Sequence, residues 1–136
     1  CIRDRVCTTI HSNSCTSTYR RMMTLAKRKY NMDDSIIMQI MVEAYPVVVF
    51  TKQLEDRSRK IMEIIEGEDF IDGKLIYRSL YKYDVVDNVT EANGQTRVVG
   101  HHRKMGLISE TLKKRLLDNG ISHKELEEFM PEKEVD

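Results

Sequence analysis

A proline at position 46 divides an apolar stretch in two and fixes what each part can become. Before it, Ile36, Ile37, Ile40, Met41 and Ala44 recur at helical spacing, so they form one face of a helix that Asp33 or Asp34 can cap. Pro46 has no N–H to donate, and its ring collides with the turn behind it, so that helix must stop. After it, residues 47–51 are β-branched or aromatic up to a threonine, and they read as a buried strand. The whole run over residues 45–50 is the longest apolar stretch, too short to cross a bilayer as a helix. A polar turn at 55–58 then lets residues 59–65 pair back as a hairpin strand.

The flanking segments extend this pattern. Residues 6–11 are β-branched and read as a strand ending in the polar turn Ser12, Asn13, Ser14. Such residues cap helices, and Tyr19, Met22, Met23 and Ala26 give a helix over 16–29 its apolar positions. A second region starts near Gly67. Residues 74–83 form a tyrosine-rich strand, and strands 85–90 and 96–100 flank the hairpin signal Asn93-Gly94. Ser109 opens a helix that runs to Asn119 and stops at Gly120. Ser122 caps a last short helix ending before Pro131, with an acidic tail beyond.

The chain carries 22 Lys and Arg against 22 Asp and Glu, which excludes a nucleic-acid coating protein with its basic excess. The charge is nonetheless uneven. Residues 1–30 hold seven cations and one acid, while residues 125–136 hold six acids and one cation, so the ends suit different partners. Cys1, Cys7 and Cys15 are odd in number and clustered, a poor disulfide framework that points to reduced cytoplasmic thiols. The opening residues offer no apolar core for a signal peptide, and with no initiating Met the chain is expected to be part of a longer one.

The chemistry concentrates in Thr8, Thr9, Ile10, His11, Ser12, Asn13 and Ser14. Hydroxyls, an amide and an imidazole at the end of a strand are the groups that hydrogen-bond phosphate oxygens, and a histidine responds to charge near neutral pH. The competing reading is a polar strand-to-helix turn, with Ser14 as the cap and His11 simply exposed. Cys7 with His11, and His101 with His102, lack the four-ligand spacing of a zinc site, and the histidine pair is expected at a loop end. Tyr77, Tyr81 and Tyr83 alternate at period two, so they form one face of a sheet packed on the last helices rather than a base-stacking platform.

The run Thr-Thr-Ile-His-Ser-Asn-Ser resembles the His box of the type II/type IV secretion ATPases, usually Thr-x-His-Ala-Asn-Ser. Arg21, seven residues after the final Ser, stands where that family keeps an Arg. Gln39 to Ala44 resembles its Gln-Ile-Ala-Ser-Ala helix, and residues 59–64 its Arg-Arg-Ile-x-x-Ile hairpin. Residues 76–83 resemble its aromatic-rich strand, and residues 104–106 and 112–121 its closing Thr-Gly…Leu-x-x-x-Gly-Ile. The resemblance covers nearly the whole chain and is nearest the tight-adherence (Flp-type) pilus branch. It departs at Ile2, Arg3, Asp4 and Arg5, where the family has Gly-His-x-Gly, so the first His of the box is missing. Where the family often has Cys or Met, Cys7 fits a packing role.

The resemblance implies an α/β fold: the C-terminal half of a RecA-like P-loop NTPase core over residues 1–66, then a small α+β extension over 67–136. It implies a ring of identical subunits, a hexamer, on the inner face of the cell membrane, where ATP hydrolysis drives pilin assembly or protein export through inner-membrane platform proteins. Thr8, Thr9, His11, Asn13 and Ser14 would sense the nucleotide, with Arg21 in support. ATP and Mg2+ belong to the full-length protein, because the chain has no Gly-x-x-x-x-Gly-Lys-Ser/Thr. The nearest approach, Gly67 to Gly73-Lys74-Leu75, has one residue too many and Leu where a hydroxyl must bind Mg2+. The chain alone is therefore not expected to hydrolyse ATP. Two alternatives remain: a truncated paralogue acting as a non-catalytic interaction module, and a fragment of a conjugation-type DNA-transfer ATPase.

Overall fold

Ser14 starts the first helix through a reciprocal pair of hydrogen bonds. Its hydroxyl accepts from Ser17 N–H at 3.1 Å, and Ser17 Oγ accepts from Ser14 N–H at 3.0 Å. In the computed structural model, which describes residues 7–127, this helix, α1, spans Cys15–Lys27 and is followed by α2, Asp34–Ala44. Asp33 caps α2 by accepting from Ser35 N–H, and α2 ends just before Pro46 as the proline demands. Four strands follow: β1 (Val47–Gln53), β2 (Arg59–Ile71), β3 (Lys74–Thr90) and β4 (Thr96–Lys104). They form one sheet in the order β1-β2-β3-β4, with every neighbouring pair antiparallel. Helices α3 (Glu110–Asp118) and α4 (His123–Glu127) close the described chain.

The fold is thus a mixed one, two helices and a four-stranded antiparallel meander followed by two short helices. Its sheet differs from the parallel sheet typical of a RecA-like core. The expected strand at 6–11 is not seen; Val6 lies outside the described residues, and residues 7–12 carry no strand or helix. Extended backbone becomes a strand only when a neighbour takes its amides and carbonyls, and this segment has none. All four strands are longer than expected, β1 reaching Gln53 and β4 reaching Lys104. β2 runs on to Ile71, through the 66/67 position where a boundary was anticipated, and β3 joins the two segments 74–83 and 85–90. Residues 1–5, with the departure from Gly-His-x-Gly, and the acidic residues 128–136 lie outside the described range.

Helices α1 and α2 pack on β1 and β2 around Cys15, Tyr19, Met22, Met38, Val42 and Ile65. Burying each large apolar side chain in this group contributes about 1.5–3 kcal/mol. The buried face of α2 is Ile37, Met38 and Val42, whereas Ile36 and Ile40 stay exposed, so the face differs from the expected one. Tyr19 reaches between the helices and β2, where its hydroxyl donates to the carbonyl of Tyr45. It fits only because residue 67 is glycine; a Cβ there would lie 2.5 Å from Tyr19 Oη.

The sheet folds back on itself. The β2–β3 ladder ends at Glu63↔Lys82, but β1–β2 pairing continues to Gln53↔Arg59 and β3–β4 pairing to Thr90↔Thr96. The two hairpin ends part and then meet again. The Asp56 carboxylate accepts the Val98 N–H at 3.2 Å, and His102 Nε2 lies 3.0 Å from the Ile61 carbonyl oxygen. Two hydrogen bonds from Ser58 hold the Asp56 carboxyl below the usual carboxylate range, so this acceptor stays ionised. Tyr83 is buried against His102, their ring centroids 4.9 Å apart, and its hydroxyl end lies over Gly100. The aromatic packing expected on the last helices is therefore made within the sheet for Tyr83, while Tyr77 is exposed.

Candidate functional site

The capping box of α1 decides how the polar segment before it is used. Ser14 is committed to the helix N-terminus, and Ser12 Oγ donates to the Ser14 carbonyl at 3.1 Å. Thr8, Thr9, His11 and Asn13 are left exposed and make no side-chain hydrogen bond among the described residues. Thr8, Thr9 and His11 line one wall of a groove of about 570 Å³. Thr18 and Met22 of α1 and residues 47–51 of β1 form much of the rest. Two hydroxyls and an imidazole therefore stand along a groove beside β1, which among the described residues pairs only with β2.

Not every expected site residue gathers there. Asn13, Ser14 and Arg21 do not line the groove, and Arg21 projects from the exposed side of α1. Cys7 is exposed on the groove wall, so the packing role expected of it falls instead to Cys15. Cys15 is fully buried, and its thiol donates to the carbonyls of Val48 and Glu63 at 3.6 Å each. Burial first, and then the Glu63 charge, pushes its pKa up to about 12, so Cys15 is no nucleophile at neutral pH. Burial likewise acts first on Tyr19 and, with electrostatic coupling to Cys15 and Glu66, pushes the phenol up to about 12. Behind the polar groove wall the core is thus kept neutral.

A second cavity, of about 410 Å³, lies between α2, β2 and α3 and was not anticipated from the sequence. Its key residue is Glu66, a carboxylate only 3% exposed. Ser109 holds both of its oxygens: the backbone N–H donates to Oε2 at 2.8 Å, and the hydroxyl donates to Oε1. Ser109 Oγ also accepts from Leu112 N–H at 3.1 Å as the cap of α3. Arg115 donates to the Glu43 carbonyl at 3.3 Å, and Glu68 is paired with Arg78 at 2.6 Å. The acids Glu43, Glu66, Glu68 and Asp69 on its walls make this a poor place for a phosphate. A glutamate set in Ile64-Ile65-Glu66-Gly67 was the available signal: an acid inside an apolar strand needs a buried partner.

Several other expectations can be placed. His101 and His102 lie within β4 rather than at a loop end, because that strand continues to Lys104. Among the described residues no three His, Cys, Asp or Glu side chains come together as metal ligands. Gly73, the glycine of the rejected phosphate-loop approach, sits with Asp72 in the β2–β3 turn, both at positive φ. No helix among the described residues is long and apolar enough to cross a membrane. No protein-family model matches the chain, and no curated protein matches it.

Proposed function

We propose that this chain is the C-terminal part of a secretion or pilus-assembly ATPase, and that the Thr8–Thr9–His11 wall of the β1 groove is its nucleotide-sensing element. One observation carries the reading: of the residues in the His-box-like motif, Thr8, Thr9 and His11 line one groove beside β1 with no side-chain hydrogen bond among the described residues. Groups that receive a phosphate must be free of partners within their own chain, and the exposed Thr8, Thr9 and His11 meet that condition, as they also would in a plain capping turn. The turn's own hydrogen bonds are made by Ser12, Ser14, Thr16, Ser17 and Thr18.

In this reading the rest of the RecA-like core, with its phosphate loop, acidic box and parallel strands, belongs to upstream sequence. β1, the end strand of the sheet among the described residues, is where that core would join. ATP and Mg2+ bind mainly to the upstream part, and His11 approaches the terminal phosphate and transmits its presence to α1 through the capped turn. Asn13, Ser14 and Arg21 act indirectly, by shaping that turn and helix. The ring of identical subunits, the platform proteins and the membrane-side location belong to the same proposal. The test is His11→Ala in a subunit that carries its phosphate loop. ATP turnover and export should fall about tenfold or more, the scale for losing one aligned donor to a developing charge. Unchanged turnover and export would remove His11 from the mechanism.

The interaction-module reading draws support from a different observation. Among the described residues all four strands are antiparallel, and none leads into a glycine-rich phosphate-binding turn. A chain of this kind would bind ring subunits without turning over nucleotide.

A further inference from the structure

The link between α1 and α2 is solvent-exposed along its whole length. Every residue from 27 to 36 is exposed. Among them Tyr30, Met32 and Ile36 are 54%, 41% and 47% exposed, and Leu25 on the preceding turn is 42% exposed. Four large exposed apolar groups within twelve residues mark a contact surface more often than idle exposure. The same corner is basic. Arg20, Arg21, Lys27, Arg28 and Lys29 are all exposed, against Asp33 and Asp34. Both acids are already engaged, Asp33 as the cap of α2 and Asp34 in an ion pair with Lys27. Arg20, Arg21, Arg28 and Lys29 have no carboxylate partner among the described residues.

We propose that this α1–α2 corner docks on an anionic lipid bilayer, with Tyr30, Met32 and Leu25 entering the interface and the cations meeting the headgroups. The chemistry selects this occupant. Long Lys and Arg stems lie along apolar surface while their charges reach anionic groups, and tyrosine suits the boundary between hydrocarbon and water. A nucleic acid would use the cations but has no place for Leu25, Met32 and Ile36. A second copy meeting the same corner across a twofold axis would set cation against cation. Neither cavity described above is lined by residues of this corner. The proposal stands apart from the ATPase reading and would survive its failure.

The test uses the 136-residue chain and co-sedimentation with vesicles. One set is neutral phosphatidylcholine, and the other also contains anionic phosphatidylglycerol. Binding should appear only on the anionic set and weaken as salt rises. Arg28→Gln combined with Lys29→Gln should weaken it about 25-fold, at about fivefold for each cation removed. Tyr30→Ser combined with Met32→Ser should weaken it about tenfold or more without changing the salt dependence. Circular dichroism and a thermal melt confirm that both variants fold, as expected for exposed positions. Equal binding to neutral vesicles, no binding to anionic ones, or undiminished binding by either variant would overturn the proposal. Polyglutamate serves as the competing probe. If it binds as tightly as the vesicles, and the Tyr30/Met32 variant binds it equally well, the surface belongs to an acidic protein partner and the lipid assignment is wrong.

Discussion

Replacing Ser109 with alanine strips a buried carboxylate of one of its two hydrogen-bond partners and uncaps a helix at the same time. The Ser109 hydroxyl donates to Glu66 Oε1 and accepts from Leu112 N–H at 3.1 Å, while the Ser109 backbone N–H still reaches Oε2 at 2.8 Å. Losing a hydrogen bond to a charged group costs about 1.5–3 kcal/mol, and losing a serine cap about 1 kcal/mol. Glu66 is only 3% exposed, so any replacement donor has to be a water held in the cavity beside it. The Ser109→Ala variant should therefore lose about 3 kcal/mol, a large part of the ~5–15 kcal/mol typical of a domain. Urea unfolding reads this as a lower midpoint at unchanged slope. Ser109→Thr keeps the hydroxyl and should recover most of the loss. Glu66→Gln makes the acceptor neutral, so the further cost of Ser109→Ala in that background should shrink. A loss below about 1 kcal/mol for Ser109→Ala would show that Glu66 is not held by this contact.

Two other perturbations follow from the core. Gly67→Ala drives a Cβ to 2.5 Å from Tyr19 Oη and should destabilise the protein by about 1–3 kcal/mol; Tyr19→Phe, which removes that oxygen, should reduce the penalty in a double-mutant cycle. Stability should fall as pH rises from about 9 to about 12, because Cys15 and Tyr19 have folded-state pKa values raised to about 12 from 9.0 and 10.0. The unfolded chain then releases protons that the folded chain still holds, and the loss levels off above about 12. Thermal melts across that range check it: a Tyr19→Phe variant should show a shallower decline, and a flat profile for the parent chain would refute the burial argument.

Much of the fold was legible because local chemistry dictated it. Pro46 ended α2, Ser14 and Ser109 capped their helices, and Asn93-Gly94 turned β3 into β4. Other features depended on partners that no local pattern names. Residues 36–42 are apolar on nearly every side of α2, so spacing alone did not select the Ile37–Met38–Val42 face; contact with α1 and β2 did. Residues 6–11 have strand composition, yet residues 7–12 find no neighbouring strand. Asp72-Gly73 was a readable hairpin signal, and its turn explains why β2 continues past Gly67.

The candidate site was legible in part. The sequence singled out Thr8, Thr9 and His11, which share the β1 groove, together with Asn13, Ser14 and Arg21, which do not line it. Capping competes with ligand binding for the same hydroxyls, and only the hydrogen bonds of Ser12, Ser14 and Ser17 show which ones the helix takes. Glu66 was overlooked because its partner, Ser109, lies 43 residues away in the chain.

The central claim is that this chain is one end of a motor whose phosphate site lies upstream. The most direct measurement is the nucleotide sequence of the reading frame ahead of Cys1. The account predicts, in the same frame, a Gly-x-x-x-x-Gly-Lys-Ser/Thr loop and an acidic box between it and Cys1. An in-frame stop codon, or upstream sequence with neither motif, would contradict it.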